Sequence, residues 1–269
     1  NIAGYKFEPL DDAIDLIPIH QQKCYELVLK GTMLISKNGI NFSVAGTQKA
    51  TDSFIDFIEK DNRFLNIPLK VTYSETQPFR RMKVRLKKEI ISLGRKDINP
   101  REMTGEKISP EALKNILDRK EEVLVLDTRN EYETRVGKFE NAIDLNLDTF
   151  RDFPKAVESL PEEYKDKQIV MYCTGGIRCE KASAVMMKAG FADVKQLDGG
   201  VLEYFKETGG AYWEGDCFVF DERVALDKEL NETEYIYCYI CREPLSAKEK
   251  ASPDFKINEH CPYCIDSSF

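Results

Sequence analysis

The chain contains 269 residues, of which 42% are hydrophobic, and it carries a formal net charge of -8 at pH 7. This length allows two or three domains with separate cores, and the excess of acidic residues argues against indiscriminate binding of nucleic acid. The sequence has no run of about 18 apolar residues to cross a bilayer, and its first residues lack the basic start and apolar run of a signal peptide. We therefore expect a cytoplasmic protein with no membrane partner, whereas the oligomeric state stays open.

Residues 1–93 alternate as strand, helix, strand, strand, helix and strand. The dipeptide Asn38-Gly39 predicts a two-residue hairpin between the second and third strands. Pro18 is expected to begin or kink the first helix rather than to lie inside it. This order of elements predicts a ferredoxin-like, or acylphosphatase-like, α+β domain.

A dense basic run, FRRMKVRLKKEI, ends this first domain. If it forms a strand, one face projects Arg81, Lys83, Arg85 and Lys87, while Met82, Val84 and Leu86 pack on the other. An edge strand protected by charge is the ordinary explanation, but a run this dense in an acidic protein favours contact with a phosphate backbone. The residues predicted to bind RNA are Arg80, Arg81, Lys83, Arg85 and Lys87.

Residues 94–108 contain glycine and proline among charged residues, which predicts a linker. Ser109 is then expected to cap a helix, with Pro110 at its first position. Strands and helices alternate from there through residues 109–208, which predicts an α/β domain whose parallel sheet carries helices on both faces.

Cys173 follows the apolar strand QIVMY and opens the loop CTGGIR. Gly175 and Gly176 are expected to let backbone amides converge on its sulfur, and a helix starting near Cys179 adds its positive end. Arg178 adds a positive charge, so the pattern favours a reactive thiolate over a cysteine that merely ends a strand. The predicted catalytic residues are Cys173 and Arg178, and the other loop residues are Thr174, Gly175, Gly176 and Ile177.

Cys179 has two interpretations. It either forms a disulfide with Cys173, or it simply packs at the start of the helix. We favour packing, because loop and helix geometry often point such a residue inward.

The surroundings of this loop resemble a rhodanese domain. The resemblance lies in EEVLVLDTRNEYETRVGKFENAIDLNL upstream and KQLDGGVLEYF downstream, with departures at Lys138-Phe139 and Tyr204-Phe205. It implies that Cys173 carries sulfur as a persulfide, and in the first interpretation of Cys179 the disulfide with Cys173 resolves this persulfide. In the related phosphatases an arginine follows the cysteine by six positions, whereas Arg178 follows by five, so we rank phosphatase activity low.

Residues 209–269 contain two CxxC pairs. Four thiolates presented from two turns match the tetrahedral geometry of zinc, and the spacing is that of zinc ribbons. The predicted ligands of a structural zinc are Cys238, Cys241, Cys261 and Cys264. A metal-free set of thiols and the replacement of one ligand by His260 are the alternatives.

The three parts together resemble a bacterial family, the rhodanese-containing tRNA uridine hydroxylases. The most specific segments are KGTMLISKNGINFSVAGT, FRRMKVRLKKEI, MYCTGGIRCEKASAVM and CFVFDERVALD. The resemblance implies tRNA as partner, O2 as co-substrate with an unknown reductant, and hydroxylation of the wobble uridine at position 34 to 5-hydroxyuridine, with Cys173 as the key residue.

The sequence also limits which cofactors the protein is expected to bind. Only His20 and His260 are present, in different predicted domains, and there is no GxGxxG or CxxCH motif. We therefore predict no flavin, haem or catalytic iron. A plain sulfurtransferase that carries a persulfide on Cys173 and an RNA-binding module without catalysis are the alternative functions.

Overall fold

A computed structural model describes residues 1–266. The first part forms a five-stranded sheet with helices on one face. Its elements are β1 (Ile2–Phe7), α1 (Ala13–Glu26), β2 (Lys30–Ser36), β3 (Gly39–Ala45), α2 (Gln48–Ile58), β4 (Lys70–Val71) and β5 (Met82–Leu86). The strand order is β4-β1-β3-β2-β5, with β5 parallel to β2 and the other neighbours antiparallel. The first four strands have the ferredoxin-like order, which confirms the predicted fold, and β5 extends one edge.

Two local predictions in this domain were wrong in detail. The hairpin loop consists of Lys37 and Asn38, because Gly39 is already paired in β3. Gly39 has a φ of +139°, and a Cβ there would lie 2.0 Å from the carbonyl oxygen of Lys6, so the glycine permits close approach to β1. Pro18 lies inside α1, where core packing of α1 residues on both sides of it offsets the lost backbone hydrogen bond.

The second part forms a five-stranded parallel sheet in the order β6-β11-β10-β7-β9. Its elements are β6 (Glu106–Ile108), α3 (Pro110–Asp118), β7 (Leu124–Asp127), α4 (Glu131–Thr134), β8 (Gly137–Phe139), β9 (Ile143–Asp144), α5 (Phe153–Val157), β10 (Gln168–Tyr172), α6 (Ile177–Lys188), β11 (Asp193–Leu197) and α7 (Gly200–Thr208). Along β10, Ile169 and Met171 pack with α5 and α6, whereas Val170 and Tyr172 pack with α3 and α7. Helices therefore cover both faces, as predicted.

The segment that connects the first part to the second packs against the second part instead of forming a free linker. Residues 94–108 were expected to be a linker, yet β6 at their end pairs with β11. Leu93 and Ile98 are buried in the core of the second sheet. The difference arises because a few apolar residues among charged ones suffice to dock a short segment on an existing core.

The last part is built from short hairpins against the second sheet. Its elements are β12 (Trp213–Gly215), β13 (Cys217–Phe218), β14 (Ala225–Leu226), β15 (Ile236–Tyr237), β16 (Pro244–Leu245) and α8 (Ala247–Lys250). β12 pairs with β8, and the buried Trp213 ring lies 5.2 Å from Phe139 and 5.3 Å from Phe205, measured between ring centroids. An aromatic cluster thus fills the two positions where the sequence departs from the common rhodanese pattern. Within residues 1–266, no helix is long and apolar enough to cross a membrane.

Candidate active site

The Cys173 loop joins the central strand β10 to α6 at the carboxyl end of the parallel sheet. The Cys173 sulfur accepts a hydrogen bond from the Gly176 backbone amide at 3.1 Å. Gly176 has a φ of +95°, whereas Gly175 is outside the left-handed region and has free space for a Cβ. The predicted need for glycine therefore holds at Gly176 only. Helix α6 begins at Ile177, two residues before the expected start.

The environment of Cys173 favours the thiolate. Burial opposes ionisation, but a hydrogen bond from the Cys179 thiol, the charge of Arg178 and the amides of Arg178 and Cys179 together lower the pKa of Cys173 to about 5. Burial and the neighbouring thiolate raise the pKa of Cys179 well above its usual range. At neutral pH the pair therefore holds one negative charge, on Cys173.

Arg178 is held beside the loop by a carboxylate that sequence reasoning did not single out as part of the site. Its guanidinium donates to Glu133 at 2.5 and 2.7 Å, and both side chains are almost fully buried. The Glu133 carboxylate also accepts hydrogen bonds from the backbone amide of Asn130 and from the Thr174 hydroxyl. Burial opposes its ionisation, yet the Arg178 charge keeps the pKa of Glu133 below its usual value. The spacing of Glu133 from Asn130, a helix-capping pattern, was the one local signal for it.

Cys179 lies in the same buried cluster. Its side chain packs in the core between the sheet and α6, and its sulfur is 3.7 Å from the Thr128 hydroxyl oxygen. It therefore packs in this core, and it is close enough to Cys173 for its thiol to lower the pKa of that cysteine. A role as resolving thiol stays a prediction.

A cavity of about 470 Å³ lies over the loop and is formed by all three parts of the chain. The second part contributes Cys173 and Arg178, and the first contributes its sheet face opposite α1 and α2. The last part contributes the turn after β13, where the ring of Phe220 is 57% exposed and lies 5.7 Å from the Arg178 guanidinium. No single domain contains the complete site.

Cys173 lines this cavity, yet its exposure is 0%. Tyr5 lies against the loop, with its hydroxyl 3.2 Å from where a Cβ on Gly176 would be, and it donates to Glu180 at 3.1 Å. Gly200, with a φ of +70°, closes the other side, where a Cβ would lie 2.4 Å from the Cys173 carbonyl oxygen. Because Cys173 is fully buried, a substrate atom reaches the sulfur only if the surrounding residues move.

The basic residues lie along β5, the edge strand beside the cavity. Lys83 is paired with Thr32, and Arg85 with Leu34, and these two β2 residues line the cavity. Since directly paired residues share one face of a sheet, Lys83 and Arg85 project on the cavity face. The expected alternation fails at Leu86, which is 49% exposed because the strand ends there.

The remaining basic residues have more exposed positions. Arg81 and Lys87 flank β5 and are exposed. Arg80 donates to Glu222 of the last part at 3.1 Å, with 64% of its side chain exposed. The structure thus gathers the five residues into one edge, with Arg80 already in contact with the region after β13.

The four cysteines of the CxxC pairs form a compact cluster, with all sulfur atoms within 4.8 Å of one another. Individual separations are 3.9 Å for Cys238–Cys264, 3.5 Å for Cys241–Cys261 and 3.6 Å for Cys261–Cys264. Tetrahedral bonds of about 2.3 Å place sulfur atoms about 3.8 Å apart, so the cluster fits a zinc ion. His260 is not a member of the cluster.

The chain is similar to known proteins over nearly its whole length. Residues 1–90 match the family described as UPF0176 acylphosphatase like domain, and residues 109–207 match the Rhodanese-like domain. A Cupriavidus pinatubonensis protein named tRNA uridine(34) hydroxylase is 42% identical, covering 98% of this chain and 96% of its own. A Cupriavidus necator protein of the same name is 43% identical, with 99% and 96% covered. The rhodanese-like domain of an Anabaena protein is similar at 24% identity and a TM-score of 0.34, covering 42% of this chain and 80% of that domain.

Proposed function

Because the chain belongs to the tRNA uridine(34) hydroxylase family, at 42% identity over nearly its whole length, we propose that it hydroxylates the wobble uridine of tRNA to 5-hydroxyuridine at the Cys173 loop. The observation that carries this proposal is the position of Cys173. Its thiolate lies at the base of a cavity that the ferredoxin-like domain, the rhodanese domain and the last part close together. A shared cavity gives a reason for these three parts to occur in one chain.

The tRNA would approach along β5. Lys83 and Arg85 project on the same sheet face as the cavity, so a phosphate backbone bound to this edge runs past the cavity mouth. A uridine inside a stacked anticodon must leave the stack before a buried sulfur reaches it. The exposed ring of Phe220 at the cavity supplies an apolar surface for such a base.

Two chemical routes use the Cys173 sulfur. In the first, the thiolate adds to C6 of the uracil, which makes C5 electron-rich toward the oxidant. After oxygen enters at C5, loss of the C5 proton breaks the bond between sulfur and C6, restores the double bond and releases the thiolate. In the second, a persulfide or other oxidised sulfur on Cys173 takes part in oxygen transfer. With O2 as co-substrate, one oxygen atom enters at C5 and a reductant supplies two electrons to convert the other to water. In both routes Arg178, fixed by Glu133, is a positioning residue that keeps the sulfur anionic.

The cysteine cluster would hold a structural zinc. Four thiolates fill the coordination shell of zinc and leave no position for a substrate. Bound zinc would fix the turns that carry Cys238 and Cys261, and through Arg135 and Glu243 it would join this region to the rhodanese domain. No step of the reaction runs through it.

The test is nucleoside mass spectrometry of tRNA that lacks the modification, after incubation with enzyme, reductant and oxygen-18 gas. The wild type should add one labelled oxygen to uridine 34, and Cys173→Ala should add none. Cys24→Ala is the matched control, because Cys24 is equally buried but lies in the core of the first domain. Full activity of Cys173→Ala would remove the cysteine from the mechanism.

A rhodanese-type sulfurtransferase is the second candidate. The observation in its favour is the loop itself, in which the Gly176 amide and the Arg178 charge stabilise a single sulfur anion and suit a persulfide equally well. Its signature would be transfer of sulfane sulfur from thiosulfate to cyanide or a thiol without tRNA. Turnover of that kind with no oxygen added to tRNA would replace the hydroxylase assignment.

A further inference from the structure

Among the residues that the structure describes, one buried cation lacks a counter-charge. Within residues 1–266, five lysine or arginine residues are buried, and four of them are paired with carboxylates. The pairs are Arg129–Asp127, Arg178–Glu133, Lys181–Glu89 and Arg223–Asp221. Lys70 is 8% exposed, and its side chain forms neither an ion pair nor a hydrogen bond with any described residue. Burying an unpaired ammonium is costly, so its retention calls for a ligand.

The fold turns Lys70 toward the reactive loop. In β4 it is paired with Ala3, which together with Tyr5 lies on the sheet face opposite the helices. The Lys70 ammonium is 5.4 Å from the centroid of the Tyr5 ring, and both residues line the cavity of about 470 Å³. The charge therefore belongs to the same cavity as Cys173.

The two carboxylates whose charges act on Lys70 do not neutralise it. Asp198 is bound to Lys107 at 3.0 Å, and Glu203 is bound to Lys206 at 2.8 Å. Burial and the charge of Lys107 lower the pKa of Lys70, although the anionic groups of Asp198, Cys173 and Glu203 oppose this shift. The protein leaves a desolvated cation in its cavity, ready for an anion from outside.

We propose that Lys70 binds a phosphate of the tRNA nucleotide whose base enters the cavity toward Cys173. The inference rests on the proposed function, which makes tRNA the ligand. A phosphodiester carries a full negative charge before any chemistry occurs, whereas a uracil carbonyl offers only a partial one, so the phosphate better matches a buried ammonium. The cavity volume lies in the range of sites that enclose a whole small ligand, which leaves room for backbone as well as base.

The experiment measures binding of an unmodified anticodon stem-loop without oxygen, so that no turnover occurs, over a series of salt concentrations. The variants are Lys70→Met, Lys70→Arg and the control Lys60→Met. Lys60 is exposed and follows α2 on the opposite side of the sheet. Loss of a charge-assisted contact should weaken binding by Lys70→Met roughly tenfold or more. Loss of one phosphate contact to single-stranded RNA should also reduce the slope of log K against log salt by about 0.7. Lys70→Arg and Lys60→Met should keep the wild-type slope.

The salt dependence of binding distinguishes a phosphate contact from other roles for Lys70. A wild-type slope for Lys70→Met, with hydroxylation reduced, would mean that Lys70 acts on the base or only in the transition state, and would refute the phosphate contact. If Lys70→Met does not fold, Lys70→Arg provides the test, because it keeps the positive charge. A slope that is smaller in Lys70→Arg than in Lys60→Met would then refute the phosphate contact. A wild type that adds no oxygen to tRNA yet shows the Lys70-dependent slope would reject the hydroxylase function and leave the contact standing.

Discussion

The low pKa of Cys173 is the prediction on which the chemistry depends. An ordinary cysteine ionises near pH 9.0, and the surroundings of Cys173 lower this pKa to about 5. At pH 7 the thiolate fraction consequently rises from about 1% to about 99%. The shift of about four pKa units favours the thiolate by about 5 kcal/mol, at 1.36 kcal/mol for each unit. The neighbouring dipoles and the charge of Arg178 must supply this energy and must also offset the cost of burying the thiolate.

The assay is the thiolate absorbance near 240 nm of wild type minus that of Cys173→Ala, followed across pH. We expect the transition near pH 5. Because the folded pKa is depressed, the thiolate stabilises the fold above the unfolded pKa, and this contribution is lost as pH falls from about 9 toward 5. Urea unfolding should therefore show that the stability advantage of wild type over Cys173→Ala grows as pH rises from about 5 to about 9.

Cys179→Ala provides the internal check. Since the Cys179 thiol is one of the groups that lower the pKa of Cys173, its removal should shift the absorbance transition to higher pH. The control Cys217→Ala removes another buried cysteine. Its side chain packs in the core on the α3 and α7 side of the second sheet, not in the loop, so this change should leave the transition in place. A wild-type transition above pH 8 would refute the thiolate argument.

The other predictions concern the supports of the site. Glu133→Gln leaves Arg178 buried without its counter-charge and should cost about 3–5 kcal/mol in urea unfolding, so a loss below about 1 kcal/mol would contradict the pairing. Elemental analysis should find one zinc for each chain and fewer in Cys241→Ser; a wild type purified with zinc present yet free of metal would contradict the assignment. The double change of Lys83 and Arg85 to Ala should weaken tRNA binding and flatten its salt dependence, and unchanged binding would remove β5 from the RNA path.

Much of this architecture was predictable because its signals are local. The strand QIVMY, the glycine at position 176 and the helix after it specify a strand-loop-helix unit by backbone preference alone, so the cysteine loop was placed correctly. The two CxxC pairs predicted the thiol cluster for the same reason, because each pair forms within its own turn. The errors at Gly175, Pro18 and the hairpin loop are shifts of a few residues or dihedrals, which tertiary packing decides.

The sequence by itself determined the kinds of domain, the cysteine loop, the cysteine cluster and the basic strand, since each depends on residues close together in the chain. Only the tertiary structure decided which residues complete the site. Tyr5, Lys70 and Phe220 lie far from Cys173 in sequence, and the docking of three parts on one another brings them to a single cavity. No local pattern encodes that meeting, because it depends on the long-range packing of separate sheets and hairpins rather than on the preference of any one segment.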